Sequence, residues 1–438
     1  MDLIVSNNLQ IKNPSQAIKD YCDTVLTLDN PQYINAVKMG RYTGKMDSKM
    51  KLYYVNGDTY ILPFGCLQDI WKLGTFNYTL DFCDFKALSM VGGINLYDYQ
   101  EKALKSLLKG KNGVLEAPCG SGKTNIGLQL IKEIGGKALW LTHTKELLKQ
   151  SLERCKEYFK GDFGTITEGQ INIGKDITFA TVQTMCKLEP SIYVNEFNTI
   201  IVDECHHCVG TPTKVMSFYK VLSNCKARYK YGLSATLNRS DNLISCVYSI
   251  LGKKLYTITE KDVGDKIIRA KYMPIMIDLK YNMKSYTDTD GTINYNKLIE
   301  LLSFNSTRDK YIIDKIVENL GKKQLILCHR VLQANGFQAQ LKALGIESQA
   351  ITGNVKHRVF DKDIIISTYS LAKEGLDMPE LEILHLATPQ KNKSVTKQAV
   401  GRVERNIVGK NQPICYDYVD TDISYCMKCY YQRKRILQ

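Results

Sequence analysis

The 438-residue sequence lacks any long uncharged apolar run, and no stretch approaches the roughly 18–20 apolar residues that a membrane-spanning helix needs. Its first residues, MDLIVSNNLQ, lack a basic segment followed by an apolar one, so we expect neither a secretory signal nor a membrane anchor. Internal repeats and low-complexity tracts are also missing. With 44% hydrophobic and 24% charged residues, the chain is typical of a folded protein of two or three domains.

Acidic side chains are fewer than basic ones, 45 against 59, and the formal net charge is +14. The excess lies beyond the first 90 residues, which carry nine side chains of each sign. A basic chain favours a polyanionic partner such as nucleic acid, although the same balance is also typical of an ordinary solvated surface.

The 14 cysteines are spread along the chain and do not form a compact disulfide framework. We therefore expect reduced, buried thiols and a cytoplasmic location. Two C-x-x-C spacings occur, Cys205/Cys208 and Cys426/Cys429. Zinc usually requires two such pairs, or one pair with histidines, so a metal is not expected at the first pair and is left open at the second.

Residues 1–90 mix β-rich pieces with short helical ones and predict a small α+β domain. Within it, residues 51–55 and 58–62 are typical of the two strands of a hairpin. Asn56 and Gly57 between them can both adopt a positive φ, which predicts a type I′ turn.

After residue 90, short apolar runs alternate with amphipathic helical patterns, which is typical of parallel sheets with helical connections. A first series extends to about residue 233, and a second begins beyond a polar stretch at residues 282–296, interpreted as a linker. The chain is therefore predicted to be α/β, with two tandem parallel-sheet domains at residues 91–255 and 256–438.

The sharpest local signal is the segment at residues 117–124, APCGSGKT, which follows an apolar run and opens a helical pattern. Glycines allow backbone N–H groups to close around phosphate oxygens, and a helix N-terminus adds a favourable field. We expect Lys123 to reach nucleotide phosphates and Thr124 to bind Mg²⁺. Ala117 stands where the strict pattern has glycine, so this is a variant P-loop. Its predicted nucleotide-binding residues are Gly120, Ser121, Gly122, Lys123 and Thr124.

Two adjacent acids follow another apolar run in residues 200–206, IIVDECH. We expect Asp203 to hold Mg²⁺, directly or through water, and Glu204 to orient the attacking water as a base. Paired acids after a strand are by themselves a common polar cap. With a P-loop upstream in the same α/β series, they predict hydrolysis of a nucleoside triphosphate.

Together with further segments, these motifs resemble superfamily 2 helicases of the DExH type, over residues 96–405. The resemblance implies two RecA-like motor domains. Residues 96–100 (LYDYQ) resemble the motif before the P-loop, in which Gln100 would contact adenine. Residues 234–236 (SAT) resemble the motif that couples hydrolysis to domain movement. The residues implied to act in coupling are His206, Ser234, Thr236 and Gln398.

The resemblance also implies contacts with the nucleic-acid backbone. Residues 141–145 (LTHTK) and 180–184 (ATVQT) resemble the strand-end motifs of the first motor domain, and residues 325–330 (LILCHR) resemble one from the second. The implied contact residues are Thr142, His143, Thr181, Gln183, Arg330 and Thr368.

Two motifs in the second domain imply contacts with ATP. Residues 367–379 (STYSLAKEGLDMP) match the segment in which Gly375 and Asp377 face the nucleotide. Residues 398–405 (QAVGRVER) resemble the last motif of the family, whose arginines reach the γ-phosphate from across a cleft. Arg405 corresponds to the usual arginine finger, with Arg402 beside it.

The N-terminal segment resembles the start of phage and bacterial DNA helicases of this type, from AVKMGRYTG at residues 36–44 to LPFGCL at residues 62–67. Its cations, among them Arg41 and Lys45, lie close in sequence to Tyr42, Tyr53 and Tyr54. Cations with aromatic residues can bind a phosphate backbone and stack on exposed bases. The alternative is that these tyrosines belong to the core.

DECH in place of DEAD argues against the RNA-remodelling DEAD-box group, and GLSATLNR at residues 232–239 resembles XPB-like and phage UvsW-like enzymes. The resemblance implies an ATP- and Mg²⁺-dependent DNA helicase or translocase acting on forked, branched or junction DNA, in the bacterial host cytoplasm if the gene is a phage's. Three alternatives stay open: a non-unwinding translocase subunit of a restriction-like complex, an ATP-gated nucleic-acid-binding protein and an RNA helicase.

Overall fold

The computed structural model describes residues 1–211, 216–237, 243–352, 361–373, 378, 380–407 and 409–437. Its contacts divide the chain into two compact units, Met1–Asp262 and Val263–Gln438. Each unit contains a large, mainly parallel sheet whose strands are joined through helices. The prediction of an α/β protein with two RecA-like parallel-sheet domains is therefore confirmed, whereas the exact boundaries between three domains stay a prediction.

The N-terminal part of the first unit has its own five-stranded sheet, in the order β5-β6-β2-β1-β7, and a separate pair β3-β4. Its elements are β1 (Asp2–Val5), β2 (Asn8–Lys12), α1 (Gln16–Thr24), β3 (Thr27–Asp29), α2 (Pro31–Lys38), β4 (Lys49–Lys51), β5 (Tyr54–Asn56), β6 (Thr59–Pro63), α3 (Leu67–Ile70) and β7 (Asn77–Leu80).

Alternating side chains form the core of this small sheet. Leu3 and Val5 of β1 and Leu9 and Ile11 of β2 are almost completely buried, and the residues between them are more exposed. A period of two is expected where only one face of a sheet packs on the core.

The predicted hairpin is present as β5 and β6, but its turn is shifted by one residue. Asn56 pairs with Thr59, so Gly57 and Asp58 form the turn. Gly57 has φ +61°, whereas Asn56 does not adopt a positive φ. The prediction of a type I′ turn at Asn56-Gly57 is therefore wrong, because pairing across the strands places the single glycine at the first turn position, where a positive φ is needed.

The second part of this unit contains an eight-stranded sheet, in the order β13-β12-β14-β10-β15-β16-β9-β17, in which only β13 is antiparallel to its neighbour. Its elements are β8 (Val91–Gly92), α4 (Asp98–Gly110), β9 (Gly113–Glu116), α5 (Lys123–Ile134), β10 (Ala138–Thr142), α6 (Lys145–Tyr158), β11 (Phe159–Lys160), β12 (Phe163–Thr167), β13 (Gln170–Asn172), β14 (Ile177–Thr181), α7 (Val182–Met185), β15 (Thr199–Asp203), α8 (Ser217–Ser223), β16 (Tyr229–Ser234), α9 (Ile244–Leu251) and β17 (Lys254–Thr257). Strands β8 and β11 form a separate pair.

The central strands of this sheet are buried along their whole length. Every residue of β10, β14 and β15 is buried, as expected for strands covered on both faces. This burial explains why they appear in the sequence as continuous apolar runs. Helix α5 ends at Gly135, which has φ +75° and caps the helix in the left-handed region.

The second unit contains a six-stranded parallel sheet in the order β18-β23-β22-β19-β21-β20. A short helix, α10 (Glu260–Val263), spans the boundary between the two units. Beyond it are β18 (Lys271–Ile277), α11 (Tyr295–Ser303), α12 (Ser306–Glu318), β19 (Gln324–Cys328), α13 (Val331–Ala343), β20 (Gln349–Ile351), β21 (Ile364–Thr368), α14 (Tyr369–Lys373), β22 (Ile383–Leu386), α15 (Lys393–Val403), β23 (Ile414–Asp420) and α16 (Ser424–Leu437).

The first strand of this sheet, β18, was not predicted, and it contains Pro274. Proline is tolerated there because β18 is an edge strand with a single neighbour. The polar stretch at residues 282–296 follows β18 and therefore lies inside the second unit. Its interpretation as a linker between two α/β units is wrong.

All 14 cysteines lie in the described ranges and are free thiols. Burial raises the pKa of the Cys205 thiol well above its usual value, which disfavours the thiolate that a metal needs. Within the described ranges, no three histidine, cysteine or acidic side chains are arranged to hold a metal ion. The same ranges contain no helix that is both long and apolar enough to cross a membrane.

Candidate active site

Three neighbouring strands of the first unit end at one edge of the sheet. Strand β16 lies between β15 and β9, and all three are parallel. Their carboxyl ends therefore meet, which is where open α/β sheets bind ligands. The P-loop follows β9, the acid pair lies at the end of β15, and Ser234 ends β16. The Ala117 N–H donates to the Ser234 carbonyl over 2.9 Å, which ties two of these loops together.

The P-loop has the backbone that its sequence predicts. Gly120 and Gly122 have φ +78° and +79°, in the region that favours glycine. Lys123 begins α5, and its Nζ lies 3.1 Å from the Ala117 carbonyl and 3.5 Å from that of Pro118. Ala117 is completely buried and so does not line the loop's surface, which explains how alanine can replace glycine there.

Gln100 is held between helix α4 and the P-loop. Its Oε1 accepts from the Tyr97 N–H at 3.0 Å, completing a capping box, and its Nε2 donates to the Ser121 carbonyl at 2.8 Å. In this arrangement Gln100 supports the backbone of the P-loop. Its contact with adenine stays a prediction.

Asp203 and Glu204 form a pair of adjacent carboxyls, of which Asp203 is buried and Glu204 is half-buried. Glu204 has φ +49°, an unusual conformation for a side chain of this size, and its N–H donates to Asp203 Oδ1 at 2.9 Å. Burial, and then the neighbouring Glu204, raise the pKa of Asp203 above its usual value. Although burial opposes it, hydrogen bonding from His206 and the positive charge of Lys123 hold the pKa of Glu204 below its usual value.

The residues at this edge fit a nucleotide with a divalent cation. Two adjacent carboxyls resist a full negative charge, and a hard cation would relieve that cost because oxygen atoms are its preferred ligands. Glu204 Oε2 is buried, and its neighbour His206 Nδ1 lies 3.3 Å away. Thr124, half-buried in the first turn of α5, completes the donor set expected for Mg²⁺.

His206 connects the acid pair to Ser234. Its Nδ1 lies 2.9 Å from Ser234 Oγ and 3.3 Å from Glu204 Oε2. Ser234 Oγ in turn donates to the Thr236 carbonyl at 2.9 Å. The structure therefore brings together His206, Ser234 and Thr236, the coupling residues implied for this unit.

Two further histidines join this cluster. The ring of His207 lies 4.2 Å from that of His206 and 4.3 Å from that of His143, measured between centroids. Burial lowers the pKa of His143. Sequence reasoning assigned His143 to nucleic-acid contact and gave His207 no role. This cluster of tilted rings could not be found from the sequence because its members follow two different strands.

The other implied contacts of this unit lie at the ends of β10 and β14, which are adjacent. Gln183 Nε2 donates to the His143 carbonyl at 2.6 Å, and the Thr181 hydroxyl donates to that of Thr184 at 3.0 Å. The Thr142 side chain is buried, with its hydroxyl on the Thr144 carbonyl at 3.0 Å. The structure thus groups these residues, while Thr142 and Thr181 direct their side chains into local hydrogen bonds.

In the second unit, Arg330 and Thr368 follow or end paired strands, β19 and β21. Arg330 is exposed, and its Nη2 donates to Asn296 Oδ1 at 3.2 Å. The neighbouring His329 is hydrogen-bonded on both nitrogens, to Thr388 Oγ1 at 2.7 Å and to the Tyr295 hydroxyl at 2.8 Å. Burial, followed by nearby arginine charges, lowers the pKa of His329 to about 4, so the ring is neutral near pH 7.

Tyr295 and Asn296 were missed because they lie at the end of the polar stretch and in the helix that follows it.

Gly375 and Asp377 lie outside the described residues. Gln398 and Arg402 are half-buried on α15, and Arg405 follows that helix, where its backbone forms a bridge with Ile267.

Arg41 and Lys45 are exposed in the segment between α2 and β4, and Tyr42 between them is 95% exposed. Tyr53, in contrast, is buried and stacks on Tyr60, with ring centroids 5.9 Å apart. The structure therefore separates the tyrosines that the sequence grouped: Tyr53 belongs to the core, whereas Tyr42 does not.

The N-terminal region contacts the eight-stranded sheet of the same unit through Lys230 of β16. This lysine is almost completely buried, and its Nζ lies 4.5 Å from the centroid of the Phe64 ring. It also donates to the carbonyls of Asn7 and Leu222, each at 3.3 Å. Burial lowers the pKa of Lys230 to about 8.

Residues 93–239 match the protein family described as "Type III restriction enzyme, res subunit". The chain is 27% identical over 425 residues to the putative ATP-dependent RNA helicase L396 of Acanthamoeba polyphaga mimivirus, covering 91% of this chain and 79% of that one. It is 26% identical to the probable helicase D10 of Escherichia phage T5, covering 70% and 67%. Over 179 residues it is 30% identical to the DNA 3'-5' translocase XPB2 of Sulfurisphaera tokodaii, covering 41% and 39%.

Among solved structures, Saccharomyces cerevisiae Dbp5 bound to RNA and ADP BeF3 matches with a TM-score of 0.57 and 15% identity, covering 78% of this chain and 88% of that one. That likeness concerns the fold alone. The family match and the sequence relatives support a superfamily 2 helicase of the type found in viruses and phages, and XPB-type proteins are among the relatives of this chain. Proteins of this class hydrolyse ATP.

Proposed function

We propose that this protein is an ATP- and Mg²⁺-dependent DNA helicase or translocase that acts on forked, branched or junction DNA, in the cytoplasm of a host cell. The observation that carries the proposal is the meeting of the P-loop, the acid pair and Ser234 at one sheet edge. The strand-end residues of β10 and β14 extend the same edge and give the motor a surface for a nucleic-acid backbone.

Each residue at this edge has a role that its position supports. Lys123, with Gly120, Ser121 and Gly122, would hold the phosphates of ATP, and Thr124 and Asp203 would hold Mg²⁺, which neutralises charge developing on those phosphates. Glu204 would orient the attacking water and accept its proton. His206, Ser234, Thr236 and Gln398 would transmit the loss of the γ-phosphate. Gly375 and Asp377 would face the nucleotide, and Arg405, with Arg402, would reach the γ-phosphate from the second unit.

The net charge of +14 supports a nucleic acid, and the choice of DNA rests on the DECH sequence and the XPB-type relative. Two other readings have specific support. The family description favours a translocase that works with a restriction-like partner. The mimivirus relative is named an RNA helicase, which favours RNA. An ATP-gated nucleic-acid-binding protein would share every residue of the site.

The decisive experiment measures ATP-driven strand separation on DNA forks, four-way junctions, tailed DNA duplexes and RNA duplexes of matched sequence. Lys123→Ala and Glu204→Gln serve as inactive controls, because each removes a residue assigned to hydrolysis. We expect separation of forks and junctions at a higher rate than of tailed duplexes, and none with either variant.

The other outcomes reassign the protein. DNA-stimulated hydrolysis with displacement of a bound obstacle but without strand separation indicates a translocase. Hydrolysis stimulated only by RNA indicates an RNA helicase. Slow stimulated hydrolysis with neither separation nor displacement indicates an ATP-gated binding protein. Wild-type turnover in Lys123→Ala would exclude the proposed mechanism itself.

A further inference from the structure

The segment at residues 31–48, here called the α2 arm, leaves the N-terminal sheet between β3 and β4 and returns to it. Asn30 forms hydrogen bonds with residues at both ends of the arm. Its side-chain oxygen accepts from the Gln32 N–H at 3.0 Å, its Nδ2 donates to the Asp47 carbonyl at 2.7 Å, and its own N–H donates to the Ser48 carbonyl at 2.9 Å. Asn30 is itself buried. The two ends of the arm are therefore held close together by hydrogen bonds to Asn30.

Apolar side chains on this arm face solvent. Helix α2 has no buried residue, although three of its eight positions are isoleucine, valine or tyrosine. The exposed large apolar side chains of the arm, with their exposed fractions, are Ile34 (37%), Val37 (55%), Met39 (64%), Tyr42 (95%) and Met46 (37%). Single exposed apolar residues are normal, but such a concentration within one short segment is typical of a contact surface.

Tyr42 is held in position by the local backbone. The Arg41 N–H donates to the Ala36 carbonyl at 2.9 Å, and the Met46 N–H donates to that of Thr43 at 2.9 Å, which closes turns on both sides of the ring. Gly44 has φ +47°, and a Cβ at this position would lie 2.9 Å from the Tyr42 ring. The glycine thus provides the room in which the tyrosine sits while most of its ring remains exposed.

The positive charge of the arm indicates the class of partner that it would bind. Lys38, Arg41 and Lys45 are exposed, against a single acid, Asp47. Within the described ranges, no carboxylate lies within 4 Å of any of the three cations, whereas Lys49, just beyond the arm, is paired with Asp29 at 2.6 Å. A polyanion with accessible apolar faces matches this combination. Unpaired nucleotides provide both, whereas the base faces of an intact duplex are stacked inside it.

We propose that the α2 arm binds unpaired nucleotides, with Tyr42 stacking on a base and Lys38, Arg41 and Lys45 contacting phosphates. This rests on the proposed function in that the motor must act on a nucleic acid, and it assigns the single-stranded part of the substrate to the N-terminal sheet. Neither the motor motifs nor the relatives assign a ligand to this segment.

The test measures equilibrium binding of the full chain without ATP. The probes are a labelled single-stranded oligonucleotide, the same backbone with abasic positions, and a blunt duplex, each as DNA, with the single strand also as RNA. We expect Tyr42→Ala to weaken binding of the base-containing strand by about 5- to 100-fold, while binding of the abasic strand and the duplex changes little. Tyr42→Trp should retain binding, and the fluorescence of its indole should be quenched by the base-containing strand alone.

Matched variants separate stacking from charge. Tyr78, on β7 of the same sheet, is 55% exposed, so Tyr78→Ala removes an equally accessible tyrosine and should leave binding unchanged. Replacing Lys38, Arg41 or Lys45 by alanine should lower the steepness of log K against log salt concentration for single-strand binding by about 0.7 in each variant. Lys12→Ala should leave that slope unchanged. Equal binding by RNA and DNA single strands would support stacking on any base, and a preference for one would support it with selection at the sugar.

An equal loss on base-containing and abasic strands, or no loss with Tyr42→Ala, would overturn the inference. If such variants bind normally while DNA still stimulates wild-type hydrolysis, only the role of the arm fails. If the wild-type chain binds no nucleic acid and none stimulates hydrolysis, both the inference and the proposed function fail.

Discussion

Each of the two large sheets carries a pair of neighbouring carboxyls, Asp203 and Glu204 at the end of β15 and Asp417 and Asp420 in β23, and the two pairs have opposite surroundings. In the second unit, Asp417 and Asp420 of β23 each meet an arginine: Arg433 Nη2 lies 2.7 Å from Asp417 Oδ1, and Arg308 Nε lies 3.0 Å from Asp420 Oδ1. In the first unit, Asp203 and Glu204 lie against each other and His206, and the charges of Lys123 and His207 act on them as well.

The pair in the second unit stabilises the fold, whereas the pair in the first unit belongs to the candidate active site. Asp417 and Asp420 have hydrogen-bonding partners that compensate for their burial; the hydroxyls of Tyr272 and Tyr281 also donate to them. In the Asp203–Glu204 pair, the raised pKa of Asp203 shows an electrostatic cost that its neighbours do not compensate. Perturbed pKa values of this kind are typical of functional sites, and the proposed function assigns the relief of this cost to a cation bound with a nucleotide.

The largest expected effect concerns Arg405, which the proposed function assigns as an arginine finger for the γ-phosphate. Arg405→Ala should leave ATP binding intact and lower the DNA-stimulated turnover by about 10³-fold or more, because an arginine finger stabilises charge only in the transition state. Turnover under saturating ATP and nucleotide affinity should be measured separately, with Arg435→Ala on α16 as an exposed control. Lost binding with normal turnover would reassign Arg405.

The compensated pair should matter for stability. Arg433→Met leaves Asp417 without its arginine in the core and should lower the free energy of unfolding of the second unit by about 3–5 kcal/mol. Denaturant unfolding would measure this change. Arg435→Met, on the exposed side of the same helix, is the matched control, and equal stability of the two variants would contradict the structural role of the pair.

Lys230 is a buried side chain of the opposite charge, whose Nζ contacts two backbone carbonyls and the Phe64 ring. Its pKa falls from 10.5 to about 8 on folding, so below pH 8 the folded state carries the full cost of the buried charge. As the pH rises from 8 towards 10.5, the wild-type chain should gain up to about 3 kcal/mol of stability relative to Lys230→Met. Unfolding curves at several pH values would show this, with the exposed Lys12→Met as control. Parallel curves for wild type and Lys230→Met would refute the buried charge.

The smallest effect concerns the uncompensated pair itself. Asp203→Asn removes one of two adjacent carboxylates and should raise the stability of the first unit by about 0.5–2 kcal/mol in buffer without divalent cations, while hydrolysis is lost. Thermal unfolding and ATP turnover provide the two readouts. Asp84→Asn, an exposed acid of the same unit, should change neither; a destabilised Asp203→Asn would show that the pair is structural.

Local patterns predicted much of this molecule. Helix α5 and strands β10 and β19 lie where the periodicity placed them, because the burial of a whole strand or one helix face is visible within a few consecutive residues. The P-loop and the acid pair were equally visible, since their chemistry requires particular side chains at fixed spacing.

The errors have a common physical cause. Strand β18 contains a proline that only its edge position allows, and the polar stretch after it was taken for a linker because polarity does not distinguish an insertion from a connection. The cluster of His143, His207 and His206 depends on two strands that are neighbours in the sheet but distant in the chain. The burial of Tyr53 beside the exposure of Tyr42 depends on which way the N-terminal sheet packs.

By itself, the sequence determined the class of fold, the chemistry available at each strand end and the positive charge, because these follow from composition and from spacing within short windows. The tertiary structure decided which strand ends meet, which carboxyls find an arginine and which tyrosine remains exposed. Those outcomes depend on strand order and on packing between distant segments, where the free energy of burial is shared among residues that no local pattern connects.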